Sequence, residues 1–176
     1  MSFARCLVMA IAMAMLAATV LPAKAEAAAE TKLSDFNGEW RGNGTDRNTP
    51  LESPQPTNCR MTIQADLRHL NSETTCIGQA GLRKLLHLAV MIAGDQLTGE
   101  ASQTSIVTDG AEKVLNGTVT GHKTDATAEL EVRFPGLTPS ATISLRRLDP
   151  SRFTMTIASL GLVLMDVTFA RMTERQ

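Results

Sequence analysis

The stretch Ala126-Thr127-Ala128-Glu129-Leu130-Glu131-Val132-Arg133-Phe134-Pro135-Gly136 decides the fold. Its apolar residues (Ala126, Ala128, Leu130, Val132, Phe134) alternate with polar ones (Thr127, Glu129, Glu131, Arg133). That is the period of a strand with one buried face and one wet face, and Pro135-Gly136 ends it. The pattern recurs on both sides. Downstream, Ala141, Ile143, Leu145 and Arg147 share a face, Leu148-Asp149-Pro150-Ser151 reads as a β-turn, and Phe153, Met155 and Ile157 follow. Gly161 then sits in a turn before a last strand over 163–171, whose inward face is expected to hold Val163, Met165, Val167 and Phe169. Upstream, Leu115, Gly117 and Val119 share a face, and Gly94-Asp95 followed by Gln96-Leu97-Thr98-Gly99-Glu100 reads as a hairpin turn and a new strand. The first strand is placed at 36–45.

Two segments are less direct. Leu82, Leu85, Leu86, Ala89 and Ile92 fit a helical stripe, whereas Leu86, Leu88, Val90 and Ile92 fit a strand face; the strand, over 86–93, is the favoured reading. Residues 48–58 hold Pro50, Pro54 and Pro56 and read as a loop without regular hydrogen bonding. The total is eight to ten short strands at hairpin spacing with no long helix. The fold class is therefore all-β, an antiparallel meander barrel, because closing the sheet removes its exposed edges.

Residues 1–25 have the three parts of a secretory signal: Arg5 near a positive start, an apolar run from Leu7 to Leu21, and Ala23-Lys24-Ala25 after Pro22. The run is shorter than the ~20 residues a spanning helix needs, so cleavage is expected rather than anchoring, and the mature chain is expected to have no membrane span. A polar leader, 26–35, would then precede a single domain over 36–176. Export places the protein in the periplasm or outside the cell.

Losing Arg5 and Lys24 takes the formal net charge from −1 to −3. A negative chain with one Trp and no Tyr argues against nucleic-acid binding, which needs cations and stacking rings. Cys6 leaves with the signal, and Cys59 and Cys76 remain as an even pair in an oxidising compartment. Cys59–Ala65 alternates as a strand, Arg68–Asn71 reads as a turn, and Glu73–Ile77 reads as the return strand. The two cysteines would face each other near the open end of that hairpin as a structural disulfide. Neither belongs to a C-x-x-C pair, so redox activity is the lesser alternative.

Gly38-Glu39-Trp40-Arg41-Gly42 on the first strand resembles the G-x-W with which calycin barrels, lipocalins included, begin. In that family an Arg or Lys from the end of the barrel covers the Trp, and the resemblance assigns this role to Arg171, making Trp40 and Arg171 a barrel-floor pair. The whole layout is also similar to small exported bacterial β-barrel proteins of unknown function. A second resemblance is to periplasmic inhibitors of secreted metalloproteases, small calycin-like barrels with an early Trp and an early disulfide. It implies a protease-plugging role for residues 26–35, although this chain is longer than those inhibitors.

Catalytic chemistry is not indicated. No G-x-S-x-G is present, and His69, His87 and His122 fall on separate elements. Glu129 and Glu131 share a strand face opposite the apolar one and are expected in solvent, as is Asp166. No H-x-H, H-E-x-x-H or EF-hand spacing occurs, so no metal and no cofactor is expected. Met155 and Met165 are expected to face one another across the last hairpin as core filler rather than as copper(I) ligands. Leu88, Val90, Leu130, Val132, Ile143, Met155 and Met165 are the expected lining of an interior cavity. The sequence thus points to a non-enzymatic envelope protein that binds a small apolar ligand or an envelope partner, with proteinase inhibition as the alternative.

Overall fold

The computed structural model describes residues 32–49, 51–78, 81–107, 110–124, 127–136 and 139–172. The expected signal at 1–25, and the leader up to residue 31, lie outside the described residues. A 3-10 turn, Leu33–Phe36, leads into ten strands. These are β1 Gly38–Asp46, β2 Gln55–Ala65, β3 His69–Ile77, β4 Arg83–Ala93, β5 Gln96–Ile106, β6 Glu112–Lys123, β7 Thr127–Arg133, β8 Ala141–Asp149, β9 Arg152–Ser159 and β10 Leu162–Arg171. Each strand pairs antiparallel with the next, and β10 returns to β1, giving a closed meander barrel. Most of the apolar residues read from the alternation, among them Ala128, Leu130, Val132, Ile143, Leu145, Phe153 and Met155, form one contiguous core, while Ala126 lies outside the described residues.

One end of the barrel, the floor, is made by the start of β1, the end of β10 and tight turns such as Gly94-Asp95 and Pro150-Ser151. The other end, the mouth, carries longer connections, among them 47–54 and 134–140. Curvature comes from glycines on the inner face. A Cβ at Gly44 would lie 2.7 Å from the Val167 Cα, and one at Gly99 would lie 2.8 Å from the Val90 Cα. Neighbouring strands approach closer there than any side chain allows, and the sheet bends.

Residues 82–93 resolve as a strand that begins at Arg83, three residues before the expected start. The first strand begins at Gly38 rather than Phe36, because Phe36 closes the 3-10 turn and Gly38 takes φ 126°. The proline-rich loop is shorter than expected: Pro56 lies within β2, opposite Thr45. It is tolerated because β3 first meets β2 at Asn58, so the missing N–H falls where β2 has only β1 beside it. The cysteine hairpin turns at 66–68 rather than at the expected 68–71, and His69 already starts β3.

Met155 and Met165 do not face one another. Leu160 and Gly161 both have positive φ, as a two-residue hairpin turn requires, and an irregularity between Val163 and Met165 then adds one residue to β10. Met155 therefore pairs with Val167, and Met165 with Ile157. The same shift puts Val163 on the outside, 41% exposed.

Cys59 and Cys76 are directly opposed on β2 and β3, with Cα atoms 4.1 Å apart, and form a disulfide. The loop they close spans 17 positions, so replacing both by serine is expected to cost about 3 kcal/mol, read as a lower urea midpoint. Reductant should produce the same loss in the wild type. Asp149 accepts hydrogen bonds from the Ser151 hydroxyl and backbone N–H and from Arg152, which hold its carboxyl down at about 2. A depressed acid stabilises the folded state above its unfolded value. This contribution should thus be complete above pH ~4 and lost as the pH falls through about 2, checked by carboxyl NMR titration.

Candidate functional site

The floor is built around Trp40. Its indole packs edge-on against Phe153 with centroids 4.8 Å apart, and Phe153 meets Phe36 at 5.3 Å and Phe169 at 5.0 Å. The indole N–H donates to the Phe36 carbonyl at 2.7 Å. Arg171, register partner of Trp40 across the β1–β10 seam, lays its guanidinium 4.3 Å from the indole centroid. It donates from Nη2 to the Asp35 carbonyl at 2.8 Å and from Nη1 to the Asn37 carbonyl. Arg147 donates to the Asp35 carboxylate, while Leu33 and Phe36 are buried beneath. Two cations thus fasten the 3-10 turn over the end of the barrel, and the last residues of the leader belong to the floor.

Above the floor, Leu88, Val90, Leu130, Val132, Ile143 and Met155 are at most 3% exposed, and Met165 is 6% exposed. These residues pack against one another and against the aromatic floor.

The mouth is different. Inward alternation along β1 ends at Asp46, and along β4 it begins at Lys84. The two meet across the barrel: Lys84 Nζ lies 2.7 Å from both Asp46 carboxylate oxygens, with the side chains only 16% and 10% exposed. On the inner face of β3, Thr74 lies one alternation below Cys76, which is the strand partner of Lys84. Thr74 is 3% exposed, and its hydroxyl has no hydrogen-bond partner. Half-buried Gln103 and Ser105 pair with Leu86 and Lys84 on the neighbouring strand. Leu86, Phe134 and Ile157 are partly buried apolar side chains packed against the core. Charged, hydroxyl and apolar groups therefore meet in the upper interior.

None of these polar groups belongs to a sequence motif. The signal was nonetheless available in residue parity: Asp46 shares the phase of Trp40, and Lys84 that of Leu86, Leu88 and Val90. A charge in phase with a core face marks a buried ion pair.

The residues considered for catalysis are scattered over the outer wall. His69 lies 3.4 Å from Asp66, His122 lies 3.7 Å from Glu129, and His87 is exposed. Glu131 accepts from Ser140 and, more weakly, from Arg133, which hold its carboxyl below the usual range, and Asp166 is exposed. Among the described residues no three His, Cys, Asp or Glu side chains are grouped to hold a metal, and no helix is long and apolar enough to cross a membrane. Compared with known proteins, the chain matches no family model, and no curated protein matches its sequence.

A buried ion pair resists removal of one partner far more than removal of both. Lys84→Met should leave the Asp46 carboxylate stranded and cost roughly 3 kcal/mol in urea unfolding. The double change Asp46→Leu with Lys84→Met should stay within about 1 kcal/mol of the wild type.

Proposed function

We propose that this protein is a non-enzymatic, exported calycin-like barrel that binds a small, largely apolar molecule carrying one uncharged polar group. The observation that carries the reading is the Asp46–Lys84 pair with the unpartnered Thr74 hydroxyl one alternation below. A barrel core has no need of these groups. Burying a hydroxyl without a partner costs roughly 1–3 kcal/mol, and apolar residues would fill the same space without that cost. A ligand that accepts from Thr74 and exchanges hydrogen bonds with the ion pair removes the penalty, while Leu86, Phe134 and Ile157 offer it an apolar seat. The pair is neutral overall, so a charged head group would lose its hydration without a counter-charge, and an uncharged one is favoured.

The calycin assignment is supported by the early Trp40, the terminal Arg171 stacked on it, and a meander closed between the first and last strands. Export to the periplasm or beyond is supported by the signal-like residues 1–25 and by the disulfide. The inhibitor alternative is weakened by the floor: Leu33 is buried and Asp35 is bound by Arg147, so the end of the supposed plug is held by the barrel.

Native mass spectrometry of the protein purified from its exporting host should show a co-purified apolar molecule. In calorimetric titrations, 1-decanol should bind more tightly than decanoate. The Asp46→Leu/Lys84→Met protein should bind 1-decanol at least tenfold more weakly, roughly 1.4 kcal/mol. The reading fails if neither compound binds and nothing co-purifies, or if the double variant binds as the wild type does.

A further inference from the structure

The outer wall of the barrel near its mouth carries a groove of about 650 Å³ formed by β1 to β4, lined in part by Arg41, Asn43, Asn58, Arg60, Thr75 and Arg83. Arg41 and Arg60 are direct cross-strand partners on β1 and β2. Asn43 and Asn58 are the next pair on the same face, and Asn58 pairs onward with Ile77, whose partner on β4 is Arg83. Three guanidinium groups thus share one patch of wall, and all three arginines are exposed.

Their situation differs from that of other arginines in the molecule. Arg133, Arg147 and Arg152 each meet a carboxylate, and Arg171 is bonded to the floor. Among the described residues no carboxylate lies within 4.0 Å of Arg41, Arg60 or Arg83, and no acidic side chain lines the groove. Glu39 and Glu73 share the outer face, one alternation nearer the floor. Like charges placed directly opposite on a sheet repel, and a chain of net charge −1 has no surplus of cations that forces them together. Closure of the barrel requires nothing of these side chains.

We infer that this groove is an oxyanion site that takes a phosphate-bearing group. Arginine presents planar forks of N–H donors that match phosphate oxygens in pairs, and three of them fit more than a single negative charge. Asn43, Asn58 and Thr75 add uncharged donors to the same wall. The site is separate from the mouth, since its side chains stand on the opposite face of the sheet from Asp46, Lys84 and Thr74.

The phosphate can belong to a small soluble molecule or to a lipid headgroup, and the experiment separates the two. Inorganic phosphate is titrated calorimetrically at low salt. Vesicles of phosphatidylcholine with and without phosphatidylglycerol are tested in parallel by co-sedimentation. Saturable binding of phosphate, or retention on the phosphatidylglycerol vesicles alone, supports the site and tells which source it takes. The Arg41→Gln/Arg60→Gln/Arg83→Gln protein should bind at least roughly tenfold more weakly. Arg146→Gln, on the far wall, should change nothing. Arg60→Gln alone should weaken binding about fivefold and melt no lower than the wild type, because it relieves repulsion against Arg41. The inference is overturned if neither probe binds the wild type, or if binding survives in the triple variant.

Discussion

The pairing of the last strand with the first, sealed by Arg171 lying over Trp40, is the constraint on which the remaining structure depends. A ten-stranded meander is only a curved ribbon until its ends meet. Here they meet at Trp40 and Arg171, register partners that are also stacked side chains. The guanidinium gains roughly 0.5–2 kcal/mol from the indole face. It also donates to the Asp35 and Asn37 carbonyls at the turn, which gain a partner there. One side chain therefore closes the sheet, caps the barrel and orients the segment preceding the first strand.

From that seal the interior divides into two zones. Near the floor, Phe36, Trp40, Phe153 and Phe169 fill the cross-section with rings, in a chain that has only 5 Phe and 1 Trp. Concentrating the aromatic residues there gives one end of the barrel a solid plug. Toward the mouth the inner face turns to Thr57, Thr74, Lys84, Gln103 and Ser105, and the ion pair replaces ring packing. The interior is thus aromatic below and polar above.

Much of this was legible in the chain before any coordinates. Alternation over 126–134 and 141–157 fixes strand and face together, because the side-chain period is 2 and a face cannot be mistaken once its apolar set is known. The disulfide followed from an even cysteine count and a hairpin that brings both residues to one rung. What stayed hidden depends on geometry that residue types do not encode. The two-residue turn at Leu160-Gly161 and the extra residue near Leu164 together set the register of β10 and separate Met155 from Met165. Pro56 lies within a strand because its neighbour starts late. The Asp46–Lys84 contact joins positions 38 residues apart, on strands that are not neighbours in the sheet.

Both ends of the described chain leave from the plugged side. β1 rises from Gly38 and β10 descends to Arg171, with the Met172 N–H donating to the Glu39 carbonyl at 2.8 Å. A tether attached through either terminus would hold the barrel by its base, like a cup by its stem. A partner seated against Lys32 or Met172 would meet the aromatic floor, with the Asp46–Lys84 pair at the far end.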